Sequence, residues 1–181
     1  MSLERVEIEV VPARIPYHLR ILLDETAEDL SEWQGVRERN EFVPADYVLV
    51  FDALCALRPR MPRNPLFIEW GSGLGVVSLM AAALGWKATG VEIQRPLYLQ
   101  SRRLAERFDL PAMFLHGSFF PEDPTAIEKS DERYAAADLV YVYPWPDQEL
   151  EIFDLFDRTS KAGALLLTYY GVEDLRVFRK V

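Results

Sequence analysis

The chain has 181 residues, half of them hydrophobic, which predicts one domain with a sizeable core. Lysine and arginine number 20 against 29 aspartate and glutamate, so the net charge is −9, which argues against nucleic acid as a partner and favours cationic ones. One cysteine and two histidines exclude a disulfide framework and a zinc site, so we expect no metal and a reduced, cytoplasmic protein.

Residues 1–64 differ in pattern from the rest and are predicted to form a helical extension that acts as a lid. A short strand is predicted over Val6–Val11 and helical turns over Asp24–Trp33. The apolar stretch Val43–Leu57 predicts a helix after its proline, and a proline-rich and arginine-rich connector follows it.

From residue 66 onward, short apolar strands alternate with helices, which predicts βαβ units and a mainly parallel sheet in a core of residues 65–181. One long apolar stretch in this core, Leu66 to Trp86, could be mistaken for a membrane span, but its three glycines break a helix and we expect no span. The predicted strands are Leu66–Trp70, Ala88–Ile93, Ala112–His116, Asp138–Tyr143, Ala164–Tyr169 and Leu175–Val181, and the predicted helices are Val76–Leu84, one from Pro96, and Gln148–Arg158.

A glycine-rich turn links the first core strand to its helix in the segment Phe67-Ile-Glu-Trp-Gly-Ser-Gly-Leu-Gly75. Glycines allow a sharp turn and let a ligand approach the backbone closely. Glu92 ends the next predicted strand, about 20 residues beyond Gly71, where nucleotide-binding βαβ folds place an acid that accepts hydrogen bonds from ribose. The sequence therefore predicts an adenosine pocket at the carboxyl ends of the strands.

The spacing of the glycines argues against a dinucleotide. Val76 stands where the dinucleotide fingerprint needs its third glycine, and no Gly-Lys-Ser/Thr follows as in a phosphate-binding loop. A carboxylate at Glu69 would repel a pyrophosphate at the helix N-terminus. The same carboxylate suits S-adenosylmethionine, which carries an ammonium and a sulfonium and no phosphate.

Glu69-x-Gly71-x-Gly73-x-Gly75 followed by Gly90-Val-Glu92 resembles the class I S-adenosylmethionine-dependent methyltransferases. The resemblance extends from Leu66 to about Tyr170 and implies a doubly wound, Rossmann-like sheet of order 3-2-1-4-5, to which we add a C-terminal strand. It also implies S-adenosylmethionine as cofactor. The implied contacts are Gly71, Ser72, Gly73 and Gly75 under the methionine part, Glu69 near its amino group, Glu92 on the ribose, and Ile93, Ser118 and Phe119 around the adenine.

A narrower likeness is carried by Glu41-Phe-Val-Pro-Ala45 and by Trp86-Lys-Ala-Thr-Gly-Val-Glu-Ile-Gln. These segments are similar to small protein-lysine methyltransferases, a group that includes mitochondrial enzymes acting on the ADP/ATP carrier and the ATP synthase c-subunit. In that group the segment that matches Phe42 and Pro44 folds over the cofactor. We expect two differences from this group. The chain lacks the N-terminal membrane segment of the mitochondrial members, and it lacks the usual seventh strand.

The methyl acceptor is predicted to face the end of the fourth core strand, where Tyr143 and Trp145 form an aromatic wall. The Pro-Trp-Pro run is similar to that of tRNA guanine-N7 methyltransferases, but Asp147-Gln-Glu149 follows it instead of a basic stretch. The predicted acceptor is therefore a cationic amine such as a protein lysine. No residue is identified as a general base. Three alternatives stay open: a tRNA or small-molecule methyltransferase, a nucleotide-dependent oxidoreductase, and a domain that binds the cofactor without catalysis.

Overall fold

The computed structural model describes residues 3–36, 43–127 and 135–181. In this part of the chain, seven strands form one sheet and five α-helices cover it. The strands are β1 (Leu3–Val6), β2 (Leu66–Trp70), β3 (Lys87–Glu92), β4 (Met113–His116), β5 (Leu139–Val142), β6 (Leu165–Tyr169) and β7 (Leu175–Lys180). The helices are α1 (Tyr17–Val36), α2 (Tyr47–Leu57), α3 (Val76–Ala83), α4 (Arg95–Arg107) and α5 (Glu149–Thr159).

The strand order is β1-β7-β6-β5-β2-β3-β4. Strands β2 to β6 are all parallel, and β2 lies between β3 and β5. This arrangement confirms the predicted 3-2-1-4-5 order of the core strands and the additional C-terminal strand, β7, which pairs antiparallel with β6. The carboxyl ends of β2, β3 and β5 therefore meet at one edge of the sheet, where this class of fold binds ligands.

The expectation of a missing seventh strand is wrong, because the N-terminal segment supplies it. Strand β1 pairs antiparallel with β7, with Leu3 opposite Lys180. The strand predicted over Val6–Val11 is correspondingly misplaced, since β1 ends at Val6. Ile8 and Val10, which lie within the predicted strand, instead pack against the core and belong to no strand.

Apolar side chains fill both faces of the sheet, as expected for parallel strands. One face is covered by α1 to α4 and includes Leu19 and Leu22, both fully buried. The other face is covered by α5. Because α1 contributes to the core and β1 to the sheet, removing the first 45 residues would disrupt the core itself. The division into a lid over residues 1–64 and a core over 65–181 stays a prediction.

The apolar stretch from Leu66 to Trp86 forms β2, the glycine turn and α3 rather than one continuous helix. None of the helices in the described residues has the length and apolar character needed to cross a membrane.

The hairpin between β6 and β7 has a strained turn. Val172 and Glu173 are its two central residues, with φ of 45° and 63°, and the N–H of Asp174 donates to the carbonyl of Gly171 at 2.9 Å. Two consecutive left-handed residues define the type I′ turn, in which Asn-Gly is preferred. A β-branched residue in this conformation is uncommon, and Val172 is 98% exposed, so no packing compensates for the strain.

We expect Val172→Asn together with Glu173→Gly to raise the free energy of unfolding by about 1 kcal/mol, because both residues then suit left-handed backbone. Urea denaturation followed by circular dichroism measures the change. Val181→Asn, which alters another exposed valine just beyond β7, is the control and should have no effect. A double variant no more stable than the wild type would contradict the assignment of strain to this turn.

Candidate functional site

The glycine turn between β2 and α3 is anchored to the neighbouring strand β3. The N–H groups of Gly71 and Ser72 both donate to the carbonyl of Val91, at 3.0 and 2.8 Å. Gly71 and Gly73 have φ of 73° and 54°, a conformation that other residues adopt at a cost. The turn therefore places glycine backbone, which has no side chains to cover it, at the edge of the sheet beside the end of β3.

Glu69, in β2, is hydrogen-bonded to the start of α3, directly after the glycine turn. Its carboxylate accepts hydrogen bonds from the Ser78 N–H at 2.9 Å and the Ser78 hydroxyl at 2.6 Å. Ser78 lies in the first turn of α3, whose N-cap residue, Gly75, has no side chain to satisfy the free N–H groups. Glu69 thus supplies the acceptor that an ordinary N-cap would supply.

Burial dominates the electrostatics of Glu69. It raises the pKa of the carboxyl to about 8, although the two bonds from Ser78 act in the opposite direction and the charge of Glu92 adds a smaller increase. A group of this kind takes up or releases a proton near neutral pH.

Glu92, the last residue of β3, holds the middle of the turn. One carboxylate oxygen accepts the N–H of Gly73 and the other accepts the N–H of Gln94, both at 2.7 Å. Burial raises the pKa of Glu92, and hydrogen bonds from backbone N–H groups partly offset that rise. A carboxylate has about four acceptor sites, so about two stay available for hydroxyl groups of a ligand.

Gly75 serves packing rather than ligand approach. A Cβ at this position would overlap the ring of Phe114 and lie 2.8 Å from the Cβ of Ser101. Gly90 in β3 faces the same ring, with 2.8 Å to a hypothetical Cβ. Helix α3, helix α4 and strand β4 can therefore pack closely only because these positions lack side chains.

A cavity of about 540 Å³ opens beside the turn, at the carboxyl ends of the strands. Its described lining consists of Val43, Trp70, Gly71, Glu92, Ile93, Gln94, Leu97, Phe119, Val142, Tyr143, Pro144, Trp145, Pro146, Asp147, Gln148, Glu149 and Tyr170. This volume lies in the range typical of small-molecule sites.

The cavity brings together half of the twelve predicted site residues that the structure describes. Those that line it are Gly71, Glu92, Ile93, Phe119, Tyr143 and Trp145. Those placed elsewhere are Pro44, Glu69, Ser72, Gly73, Gly75 and Ser118, while Phe42 lies outside the described residues.

The structure explains why two of the predicted residues, Ser118 and Pro44, do not line the cavity. Ser118 is buried, and its hydroxyl accepts the N–H of Phe120 at 3.1 Å, so it is engaged in its own loop. Pro44 is half-buried ahead of α2, and its neighbour Val43 contributes to the wall instead.

One end of the cavity is flat and apolar. Trp70, the last residue of β2, stacks on Phe119 with ring centroids 5.5 Å apart and planes 4° from parallel. Ile93 is 49% exposed and adjoins Glu92. Trp70 is not among the residues predicted from the sequence, although its place between Glu69 and the first glycine was an available signal.

The other end is built by the segments that follow β5 and β6. Tyr143 packs edge-on against Tyr169, with ring centroids 4.9 Å apart. The Tyr170 hydroxyl donates to Glu149 at 2.6 Å, and burial raises the pKa of Tyr170 to about 12. Tyr170 was also missed, although it directly follows β6 at the same edge of the sheet as Tyr143.

The described lining is acidic. It contains the acidic residues Glu92, Asp147 and Glu149 and none of the basic residue types lysine, arginine and histidine. In the described part of the chain, no group of histidine, cysteine and acidic side chains is arranged to hold a metal ion. The cavity therefore suits a ligand with hydroxyl groups, a flat apolar ring and positive charge.

Comparison with known proteins identifies the fold. No protein-family model and no curated protein matches the chain. A hypothetical protein from Thermus thermophilus is 22% identical, with a TM-score of 0.60 over 81% of this chain and 91% of that one. An RNA methyltransferase from Salinibacter ruber, in complex with S-adenosylhomocysteine, is 20% identical, with a TM-score of 0.58 over 76% and 92%.

A third solved structure, the T. thermophilus 16S rRNA N2 G1207 methyltransferase with S-adenosylmethionine and guanosine, is 17% identical with a TM-score of 0.58, over 79% of this chain and 44% of that one. At these identities the similarity concerns the fold alone. The fold is that of the class I S-adenosylmethionine-dependent methyltransferases.

The raised pKa of Glu69 predicts a pH-dependent stability. Between about pH 4.5 and pH 8 the folded chain retains a proton on Glu69 that the unfolded chain has lost, so the free energy of unfolding falls as pH rises. Glu69→Gln retains an oxygen that accepts both bonds from Ser78 and cannot titrate. We expect the wild type to lose stability relative to this variant by up to about 1.4 kcal/mol per pH unit.

Urea denaturation at several pH values from about 5.5 to about 8.5 measures this difference across the interval in which the linkage acts. The control is Glu106→Gln, because Glu106 is exposed on α4 and its variant should show no such trend. A difference between wild type and Glu69→Gln that is constant over the interval would show that Glu69 titrates normally.

Proposed function

We propose that this chain is an S-adenosylmethionine-dependent methyltransferase whose acceptor is a cationic amine, such as the side chain of a protein lysine. The observation that carries the proposal is the position of Glu92, which joins the glycine turn at Gly73 and lines the cavity with acceptor capacity to spare. The fold similarity supports the same class of enzyme.

The residues at the first end of the cavity fit the cofactor. Glu92 would accept hydrogen bonds from the two ribose hydroxyls, and Ile93 and Phe119 would contact the adenine ring. Gly71 permits the methionine part to approach the backbone. We assign Glu69, Gly73 and Gly75 an indirect role: they shape and hold the glycine turn and do not line the cavity.

The charges of the lining argue against a dinucleotide cofactor. A pyrophosphate would face the carboxylates of Glu92, Asp147 and Glu149 with no basic side chain among the described lining residues. A nucleotide-dependent oxidoreductase is therefore a poorer interpretation of the site than a methyltransferase.

The acceptor end has the chemistry that an amine needs. When bound, the cofactor supplies an electrophilic methyl group on its sulfonium. Tyr143 and Trp145 would exclude water around the acceptor, which favours the neutral, nucleophilic form of an amine. Their ring faces would then contact the positively charged methylated product favourably.

An RNA acceptor is the competing possibility, because RNA methyltransferases are among the structurally similar proteins. Binding a polyanion requires lysine and arginine in number. The net charge of −9 and the acidic lining oppose such a partner, so an amine is the better-supported acceptor.

We also propose that the segment before α2 covers the cofactor. Val43 lines the cavity, and the carboxylate of Asp46 accepts the N–H groups of Val48 and Leu49 at 3.1 and 3.0 Å, which fixes the start of the helix. The chain that leads into α2 is thereby held at the edge of the site, next to Pro44.

Glu92→Ala is expected to weaken S-adenosylmethionine binding by about 2–3 kcal/mol, because hydrogen bonds to a charged acceptor are lost. Isothermal titration calorimetry measures the change, with Glu106→Ala on the exposed face of α4 as a control that should bind normally. Circular dichroism of each variant separates lost contacts from lost folding. Unchanged affinity in a folded Glu92→Ala variant, or tighter binding of NAD than of S-adenosylmethionine by the wild type, would contradict the proposal.

The activity itself is tested with S-adenosylmethionine that carries a labelled methyl group. The full chain is incubated with separated protein and RNA fractions of a cell lysate, and the label is followed into each. We expect label on lysine in the protein fraction and none in RNA. Label confined to RNA would retain the methyltransferase class and overturn the cationic acceptor.

A further inference from the structure

The geometry points to Asp147 as the residue that selects a positively charged acceptor, an inference that rests on the methyltransferase proposal. Asp147 lines the acceptor end of the cavity, in the same wall as Tyr143 and Trp145. Its role would be recognition of the ammonium group before transfer.

The backbone at Asp147 is unusual in a way that retains a carboxylate at the cavity. The N–H of Gln148 donates to the carbonyl of Trp145 at 3.1 Å, closing a turn whose third residue is Asp147 with φ of 74°. Turns with positive φ at this place favour glycine. Aspartate adopts this conformation with some backbone strain. The turn therefore places a negatively charged residue in the wall of the cavity, where glycine would have been less strained.

Of the three carboxylates in the wall, the other two already have partners. Glu149 accepts the hydroxyl of Tyr170 at 2.6 Å and lies 3.6 Å from the guanidinium of Arg176. Glu92, at the cofactor end, accepts two backbone N–H groups. No hydrogen bond or ion pair joins Asp147 to another residue of the described chain. An incoming ammonium group would therefore find its uncompensated partner at Asp147.

The neighbouring aromatic side chains add an independent reason to expect a cation. Trp145 is 47% exposed, and Tyr143 is half-buried beside it. Indole and phenol faces attract ammonium groups, and they also pack against an aliphatic chain. An alkylammonium side chain such as that of lysine would use both: its methylene groups on the rings and its charge on Asp147.

The experiment compares two probes of the same four-carbon side chain. Nα-acetyl-lysine methylamide carries an ammonium, and Nα-acetyl-norleucine methylamide does not. Binding of each to the full chain is measured by nuclear magnetic resonance titration, with and without saturating S-adenosylhomocysteine. We expect the wild type to prefer the lysine probe, and Asp147→Asn to reduce its affinity about tenfold, equivalent to about 1.4 kcal/mol, with little change for norleucine.

Three further variants make the test specific. Asp147→Gly suits the turn better than the wild type, so it should fold at least as stably and still lose the lysine preference, which separates charge from backbone strain. Glu151→Gln, on the exposed face of α5, should retain the preference. Glu149→Gln should lose less affinity than Asp147→Asn.

Equal binding of both probes by the wild type, no measurable binding of the lysine probe, or a larger loss in Glu149→Gln would overturn the inference. The result for S-adenosylhomocysteine is read separately. If it does not bind, the methyltransferase proposal fails, while the lysine preference measured without it still decides the role of Asp147.

Discussion

Two buried glutamate side chains hold the glycine turn, and the rest of the site depends on them. A turn made largely of glycine has almost no side chains with which to fix itself, so its shape must come from bonds to its backbone. Glu69 binds the start of α3 through Ser78, and Glu92 binds the middle of the turn through Gly73. Burying two acids close together is costly, and these hydrogen bonds are what make the arrangement tolerable.

The cavity has two halves of different origin. Strands β2 and β3 form the half with Glu92 and Ile93, at the edge of the sheet where the doubly wound architecture binds ligands. The half beyond β5 and β6 depends on Tyr143, Asp147 and Tyr170, whose side chains are not dictated by that architecture. Similarity to solved structures concerns only the fold, so the proposed methyl acceptor must be argued from this chain's own charges and rings.

The sequence predicts the parallel core, because strand–helix alternation is a local signal, and it places Glu92 at a strand end, where the structure brings it to the cavity. It does not predict where an edge strand pairs, so the strand predicted over Val6–Val11 is misplaced relative to β1, and Ile8 and Val10 pack on the core instead. Lining residues such as Val43 were missed since tertiary packing brings them to the cavity. Ser118 lies in the loop after β4, as predicted, but its hydroxyl already accepts a hydrogen bond from the N–H of Phe120 and does not line the cavity.

The pairing of β1 with β7 has a consequence for the order in which the molecule assembles during translation. Strand β1 is synthesised well before its partner β7. The pairing of Leu3 with Lys180 can therefore form only after the segment around Lys180 has left the ribosome. Contacts between segments so far apart in sequence form slowly. The hairpin of β6 and β7 also places Tyr170 against Glu149, so the end of the cavity beyond β5 is completed only when these two strands join the sheet.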